Sequence, residues 1–378
     1  MSAWEDRLAE RAGGLTRQVR SRTGGLGDKW RGLPNEARIG IGLLGVVLLY
    51  LLPYTADYSF FGFLRPKNSD FVGVLFYPIA IYVLVAVGLN IVVGETGLLD
   101  LGYVAFFAVG AYTTGILTSL HASVPWILLL PIGLIVALIA GVLLGTPTLR
   151  LRGDYLAIVT LGFGEMIRIT ANNVHWLGDA RGISSIPKPP NIRLFGHTFL
   201  RFKRLDATAD YRLALTLIII VVIASRTLER SRIGRYWTAI REDEDAAELM
   251  GVPTFQYKLW AFATGAALGG LSGVLYAGRV NFISPDSFPL ELSILFLAAV
   301  VLGGAGNLPG VILGAVVVGY VPERFRFLQE RRVMFFGIAL VLMMIFRPQG
   351  LLPRKVRGSR TYAGDGTAGS LSPPGAPT

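Results

Sequence analysis

Four polar side chains interrupt long apolar stretches of this sequence, and they have the greatest capacity for chemistry. They are Asn90, Asp100, Glu165 and Arg168. Ionisable groups inside a membrane span are costly, so they mark solute paths or internal pairs by default. If a helix starts at Tyr155, Glu165 lies roughly 15 Å along it, near the middle of a bilayer. The four residues are therefore candidates for lining a solute path.

Each candidate also has a structural alternative. Arg168 lies three positions after Glu165, so the two can pair on one helix face, either as a structural ion pair or as part of a path. Asp100 lies just inside an apolar run, and Glu95 lies before it between Gly94 and Gly97. Both acids can instead cap the next helix, because an acid is favoured at a helix N-terminus. Asn90 can donate to a substrate carboxylate or form a hydrogen bond between helices.

A charged stretch from Gly234 to Gly251 is the most informative segment of the chain. Apolar residues recur at helical spacing, and a glycine ends the pattern. We predict a short exposed helix, parallel to the membrane, that offers Ala246, Ala247 and Met250 to a partner. A solvated loop helix without a partner is the alternative. The predicted docking residues are Arg241, Glu242, Asp243, Asp245, Ala246, Ala247 and Gly251.

The sequence contains no recognisable enzyme motif. It has no Gly-Lys dipeptide, so it lacks a phosphate-binding Walker loop. The three histidines, His121, His175 and His197, are isolated, and there are no cysteines, which excludes disulfides and thiolate metal sites. We therefore predict that this chain has no catalytic residues and binds neither a metal nor a cofactor.

Long apolar helices must position these residues. Of the 378 residues, 52% are hydrophobic and 16% are charged, whereas roughly a quarter are charged in a soluble domain. From Leu101 to Leu149 the only potentially charged side chain is His121, and this run is far too long for one crossing of a ~30 Å hydrocarbon core. The chain is predicted to be an all-α polytopic integral membrane protein.

About ten transmembrane helices are predicted, although the glycine-rich segment Leu302–Leu313 could instead form a broken or re-entrant helix. The net charge of +11 comes from basic residues beside the apolar runs, where they orient the chain and contact anionic headgroups; nucleic acid is not an expected partner. The predicted spans are residues 39–56, 71–93, 99–119, 124–146, 154–172, 211–226, 257–279, 289–304, 306–321 and 333–347.

Basic residues near the span ends indicate which side is cytoplasmic. With ten spans, four basic segments lie on the same side of the membrane: residues 1–36, Arg150–Arg152, Arg226–Arg241 and Arg347–Arg360. We therefore expect a protein of the bacterial inner membrane with both termini in the cytoplasm. Residues 1–36 form an N-terminal extension, and residues 353–378 form a disordered tail because they have no apolar face. Two basic loops, at 173–210 and 322–332, do not follow this rule, because a count of ten spans places them outside the cytoplasm.

Five segments together resemble a known family. Asp245-Ala246-Ala247, followed by Gly251, resembles the EAA segment with which ABC importer permeases contact their ATPases, with Asp in place of Glu. Taken in order and spacing, the set is similar to the LivM-type permeases of branched-chain amino acid ABC importers, and the related urea and short-chain amide permeases share much of it. The other four segments are Gly88–Tyr112, Leu149–Arg168, Leu302–Ala315 and Phe346–Leu352.

The resemblance implies a permease bundle over residues 37–352, with residues 234–252 as a cytoplasmic coupling region. It further implies a second, LivH-like permease subunit, two ATPase subunits that use the ATP, and an extracytoplasmic substrate-binding protein. The implied substrate is a branched-chain or similar hydrophobic amino acid. The alternatives are a urea or short-chain amide permease, and an ATPase-independent secondary transporter that uses Asp100, Glu165 and Arg168 for ion coupling.

Two series of glycines recur at four-residue intervals, which allows helix backbones to approach closely. We interpret both series as packing surfaces, either within the bundle or against the second permease subunit. They are Gly265, Gly269 and Gly273, and Gly306, Gly310 and Gly314.

Overall fold

The structure is a computed structural model of the 378-residue chain. It describes residues 35–55, 71–120, 124–151, 153–190, 192–194, 197–200, 207–325, 327, 331–347 and 349–352. Nearly all of the predicted N-terminal extension, and the whole of the predicted tail at 353–378, lie outside the described residues. The chain divides into two units, Met1–Arg65 and Pro66–Thr378.

Helices make up most of the described chain. Helix α1, Asn35–Thr55, belongs to the first unit. The helices of the second unit are α2 (Phe71–Glu95), α3 (Val104–Gly115, extended by a π-helical turn at Ile116–Leu120), α4 (Trp126–Thr148), α5 (Asp154–Asn173), α6 (Thr208–Arg230), α7 (Arg232–Glu242), α8 (Glu244–Leu249), α9 (Thr254–Val280), α10 (Leu290–Gly303), α11 (Leu308–Arg324) and α12 (Arg332–Phe346).

Short strands and 3-10 turns connect some of these helices. Strand β1 (Ile183–Ser184) pairs antiparallel with β4 (Phe282–Ile283), and β2 (Ile192–Leu194) pairs antiparallel with β3 (His197–Leu200). The 3-10 turns are His175–Leu177, Asp179–Arg181 and Pro285–Ser287. These small sheets were not part of the all-α expectation, but the described residues remain mostly helical.

Within the described ranges, five helical segments are long and apolar enough to cross a membrane: α2, α4, α6, α9 and the segment Pro285–Gly303 that contains α10. Shorter apolar helices lie at Leu44–Pro53, Val104–Ser119 and Arg332–Phe346. Each predicted span coincides with a helix of the structure. The chain is thus a mostly helical, polytopic membrane protein.

One predicted span begins too early. Residues 96–103, which include the first part of the predicted span 99–119, are not helical, and α3 begins at Val104. The preceding helix ends because Gly97 has a φ of +74°, a left-handed conformation that glycine adopts without steric cost. Asp100 therefore lies in the link between α2 and α3, outside both helices.

Helix α9 occupies the centre of the second unit, and its glycines pack inside the chain. A Cβ on Gly265 would lie 2.5 Å from the Val92 side chain of α2, and one on Gly273 would lie 2.0 Å from the Phe107 carbonyl oxygen of α3. Real Cβ atoms do not approach so closely, so only glycine allows these helices to touch. The packing role predicted for this glycine series is confirmed.

Helices α10 and α11 are joined by a tight turn at residues 304–307. Gly304 and Gly306 both have positive φ values, +110° and +81°, which reverse the chain direction. Residues 349–352 bind the end of α10 next to this turn, since the Leu351 N–H donates to the Leu302 carbonyl at 2.9 Å and the Leu352 N–H to the Gly303 carbonyl at 3.1 Å. The glycine-rich segment is therefore two helices with a turn between them.

Candidate functional site

The segment predicted as one coupling helix folds as two short helices, α7 and α8. Asp243 separates them with an extended backbone and caps α8, because its Oδ1 accepts a hydrogen bond from the Ala246 N–H at 2.9 Å. Ser231 caps α7 in the same way through the Gly234 N–H, at 3.4 Å. Gly251 ends the segment with a φ of +84°. The aspartate in the middle of the acidic run is thus a helix boundary.

One face of the two helices packs against the bundle. Trp237 is buried in a cluster with Ile91 and Ala261, and its Nε1–H donates to the Tyr257 carbonyl at 2.8 Å. Ala247 is buried as well. These apolar contacts fix α7 and α8 to the bundle instead of leaving them as a loose loop.

The opposite face is open to the surroundings. Leu249 and Met250 are 89% and 85% exposed, and Asp245 and Ala246 are exposed beside them. Ala246 and Met250 share a face because they lie four positions apart, whereas Ala247 points away from it. We name Asp245, Ala246, Leu249 and Met250 the coupling ridge; Glu242 and Asp243 are exposed next to it.

Arg241 faces the bundle. Its Nη1 donates a hydrogen bond to the Gly94 carbonyl oxygen at the end of α2. A Cβ on Gly97 would lie 3.2 Å from Cγ of Arg241, so the arginine stem packs on this glycine turn. The structure thus brings Arg241 to the link that carries Asp100 and not to the coupling ridge.

A second basic residue, which was not predicted from the sequence, joins the coupling segment to the bundle. Lys258 of α9 is buried, and its Nζ lies 2.5 Å from Oε1 of Glu244 at the start of α8. A buried lysine requires such a partner. A lone lysine near the start of the predicted span 257–279 was the signal that could have identified it.

Asn90 is buried in the last part of α2, where the helix has π-helical hydrogen bonding. Its Oδ1 accepts a hydrogen bond from the Gly306 N–H at 2.8 Å. Gly94 lies at the same contact, since a Cβ there would be 2.5 Å from the Gly306 nitrogen. The asparagine therefore bonds the turn between α10 and α11.

Asp100 is buried in the α2–α3 link. Its Oδ1 accepts a hydrogen bond from the Gly102 N–H at 2.9 Å. Burial raises the pKa of this carboxyl group to about 6, and the hydrogen bond from the Gly102 N–H opposes the rise. The carboxyl group borders a cavity of about 10 Å³, the volume that one water molecule needs. The cavity is lined by Asp100, Gly102, Phe106, Leu144, Thr148, Thr160, Phe163 and Phe262.

Asp100 bonds the link ahead of α3 and not the helix itself. Glu95 is buried at the end of α2, and the first turn of α3 is bonded by Ser293 of α10, whose Oγ accepts from the Val104 N–H at 2.9 Å. The link is also held by α5, because the Leu101 N–H donates to the Thr160 hydroxyl oxygen at 3.1 Å.

Glu165 and Arg168 form a bidentate ion pair on α5. Nε of Arg168 lies 3.0 Å and 3.1 Å from the two carboxylate oxygens, and Nη2 lies 2.6 Å from Oε1. The side chains are 37% and 32% exposed, so the pair lies on the surface of this chain and not within its bundle. Asp286 approaches the same guanidinium at 3.7 Å.

The four path candidates therefore do not share one pocket. Asn90 bonds the α10–α11 turn, Asp100 bonds its own link, and Glu165 and Arg168 bond each other. Only the ion pair combines charge with an open surface. The candidate functional site consists of two separate places: the coupling segment α7–α8, which carries the coupling ridge and contacts α2 and α9 through Arg241 and Glu244, and the charged face of α5.

Comparison with known proteins gives the family. A model described as the branched-chain amino acid transport system permease component matches residues 72–346. The permease protein LivM of the high-affinity branched-chain amino acid transport system of Escherichia coli K12 is 44% identical over 292 residues, which cover 72% of this chain and 68% of that protein. No solved structure matches this chain.

More distant relatives include permeases named LivM and permeases named LivH. A probable LivM of Methanocaldococcus jannaschii is 27% identical over 305 residues, covering 71% of this chain and 84% of that protein. LivH of Salmonella typhimurium is 24% identical over 285 residues, covering 72% of this chain and 91% of that protein. The family match spans the helices α2 to α12 and contains both parts of the candidate site. The chain belongs to the family of permease components of branched-chain amino acid transport systems.

Proposed function

We propose that this chain, as the permease subunit of an ABC importer, moves branched-chain or similar hydrophobic amino acids across the inner membrane of a bacterium. The similarity to LivM of Escherichia coli, at 44% identity over 72% of the chain, is the observation that carries the proposal. Alternating access of the helix bundle moves the solute, and separate ATPase subunits supply the energy.

The proposed topology has ten spans with both termini in the cytoplasm. For the second unit, this topology is supported by contacts between predicted cytoplasmic parts: Arg241 binds the Gly94 carbonyl, and Asn307 of the α10–α11 turn binds the Leu352 carbonyl. Predicted external parts also meet one another, since β1 pairs with β4, and Arg279 lies 3.3 Å from Asp210. A topology with an odd number of spans between these parts would separate them.

The ATPase contact is proposed to be the coupling ridge. Two large apolar side chains, Leu249 and Met250, are almost fully exposed there, and exposed apolar groups with a polar rim are typical of an interaction site. The acidic residues Glu242, Asp243 and Asp245 are exposed on the same segment. The matching surface on the ATPase is an apolar pocket with a basic rim. ATP binds and is hydrolysed in that partner, and this chain binds no cofactor of its own.

The charged face of α5 is proposed to face the solute path. An ion pair exposed to lipid is costly, so charged groups in membrane spans turn toward a bundle interior or a water-filled cavity. Glu165 and Arg168 are partly exposed on this chain alone, which supports an arrangement in which the second permease subunit covers them. The pair also presents a carboxylate and a guanidinium, the charges that complement the two charges of an amino acid.

Reconstitution tests the proposed function. The chain is assembled in proteoliposomes with a LivH-like permease, two ATPases and an extracytoplasmic binding protein, and uptake of labelled leucine and of labelled urea is measured. We expect leucine uptake that requires both ATP and the binding protein. Uptake of urea alone would favour the amide permeases, and uphill uptake by this chain alone, driven by an ion gradient, would overturn the proposal in favour of a secondary transporter.

A further inference from the structure

We propose that Arg241 and Asn90 are positioning residues that act in series, passing movement of the coupling segment to α2 and from α2 to the turn between α10 and α11. The inference rests on the proposed ATP-driven function. We name the contacting residues Arg241, Gly94, Asn90 and Gly306 the inner junction.

The first contact joins the coupling segment to α2. Arg241 lies in the last turn of α7 and donates to the Gly94 carbonyl oxygen. The last carbonyl groups of a helix have no partner within it, and the helix dipole makes that end negative. A guanidinium satisfies both conditions, because it donates a hydrogen bond and carries positive charge. Movement of α7 therefore pulls or pushes the end of α2 directly.

The second contact joins α2 to the α10–α11 turn. Asn90 lies one helical turn before Gly94, and its Oδ1 accepts from the Gly306 N–H at 2.8 Å. The two backbones are closely packed at this contact, since a Cβ on Gly94 would lie 2.5 Å from the Gly306 nitrogen. Closely packed groups transmit displacement because interiors are not continuously deformable.

Beyond Gly306 the contacts continue along the same end of the chain. Nδ2 of Asn307 donates to the Leu352 carbonyl at 2.8 Å, and the neighbouring backbone groups bind the end of α10. A displaced turn would therefore move α10 and α11 together. The ion pair between Lys258 and Glu244 gives the coupling segment a second attachment, to α9, so α2 and α9 can be driven as a pair.

Substitution of a contact that only stabilises the fold has a different effect from substitution of a contact that transmits movement. Loss of a stabilising contact lowers the amount of assembled complex, whereas loss of a transmitting contact lowers the amount of solute moved for each ATP hydrolysed. Networks of coupled residues require coupling measurements, and residues that act in series give non-additive effects. The ratio of uptake to ATP hydrolysis distinguishes the two roles.

The test uses the full complex, with this chain, a LivH-like permease, the ATPases and the binding protein, and normalises every rate to assembled complex. We expect Arg241→Gln to lower leucine uptake per ATP hydrolysed by about tenfold, and Arg241→Lys to restore part of it, since lysine keeps the charge and a donor. Arg235→Gln is the matched control, because Arg235 is exposed on the same helix, and it should leave the ratio unchanged.

A second variant tests the series arrangement. Asn90→Ala should lower the same ratio, and the double variant with Arg241→Gln should be no worse than the more impaired single variant. Multiplied effects in the double variant, or an unchanged ratio in Arg241→Gln, would overturn the inference. If Arg241→Gln does not assemble, an unchanged ratio in Asn90→Ala alone overturns it. Absence of ATP-dependent uptake in the wild-type complex would instead reject the proposed function.

Discussion

Oδ1 of Asn90 accepts a hydrogen bond from the backbone N–H of Gly306 at 2.8 Å, which joins positions 216 residues apart. The contact is buried, so neither group has access to water. One member is a helix residue, and the other lies in a turn held by two glycines with positive φ. One of the two predicted roles of Asn90 was a hydrogen bond between helices, and the structure shows a hydrogen bond from helix α2 to the turn between α10 and α11.

Substitution of Asn90 by leucine should destabilise the chain. The buried Gly306 N–H would lose its partner, and an unsatisfied buried donor costs about 1–3 kcal/mol. The measurement is the midpoint of thermal unfolding of the purified chain in detergent, with Asn173→Leu as the control because Asn173 is exposed. Equal midpoints for the two variants would contradict the assignment of the bond.

Two glycines should respond to alanine in opposite directions. A Cβ on Gly102 would lie 1.8 Å from the Thr160 carbonyl oxygen, so Gly102→Ala should force the α2–α3 link away from α5 and cost about 1–3 kcal/mol. Gly162 of α5 has nothing within 4 Å of the corresponding position, so Gly162→Ala should stabilise the helix by about 0.5–1 kcal/mol. Thermal unfolding in detergent measures both, and destabilisation by Gly162→Ala would contradict the packing.

Asp100 should make the stability of the chain depend on pH. Burial raises the pKa of its carboxyl group from 3.8 to about 6, so the folded chain holds this proton more tightly than the unfolded chain. The stability contributed by the protonated form is complete below about pH 4 and is lost as pH rises through about 6, to a total of about 3 kcal/mol. Wild-type stability should therefore fall across this window.

The control for Asp100 is Asp100→Asn, which keeps the acceptor for the Gly102 N–H but cannot ionise. The difference between the unfolding midpoints of the variant and the wild type should increase in favour of the variant between pH 5 and pH 8. A difference that stays constant over this range would show that the carboxyl group does not titrate there.

Neighbouring alanines of α8 should separate docking from folding. Ala246 is exposed on the coupling ridge, so Ala246→Asp should change the stability of the chain by no more than about 0.5 kcal/mol while weakening association with the ATPase. Ala247 is buried, so Ala247→Asp should lower the unfolding midpoint of the chain itself, because a buried carboxylate lacks a partner. Co-purification and thermal unfolding report the two effects. Unweakened ATPase association in Ala246→Asp would remove the ridge as the docking surface.

The ion pair on α5 can be tested by charge exchange. Glu165→Gln removes a charged hydrogen-bond partner of Arg168, and we expect leucine uptake by the full complex to fall about tenfold. The exchange of Glu165 to Arg together with Arg168 to Glu keeps an i,i+3 pair but reverses its direction. A pair that meets the solute should remain impaired after exchange, and recovery of uptake would assign the pair a structural role only. Glu229→Gln, on an exposed part of α6, is the control.

The sequence by itself determined the helices and their order. Apolar runs too long for a soluble core, ended by glycine, proline or clustered charge, place most of the long helices close to their observed bounds, because backbone groups in a hydrocarbon core must be bonded within a helix. The exceptions are the start of α3 and the division of the coupling segment into α7 and α8. The spacing of glycines likewise predicted close helix contacts around α9. The five segments that resemble the permease family could be identified from their order and spacing in the sequence. That order does not show which of their residues are in contact.

Only the tertiary structure decided where the polar side chains of these helices point. It placed the start of α3 at Val104 and turned Arg241 and Ala247 toward the bundle. It also paired Lys258 with Glu244 and bonded Asn90 to Gly306, contacts that join residues from different elements. A periodic pattern defines the faces of a helix but not which neighbour covers each face. Which neighbour covers a face depends on how the helices cross and pack, and this packing is determined by contacts between side chains that are distant in the sequence.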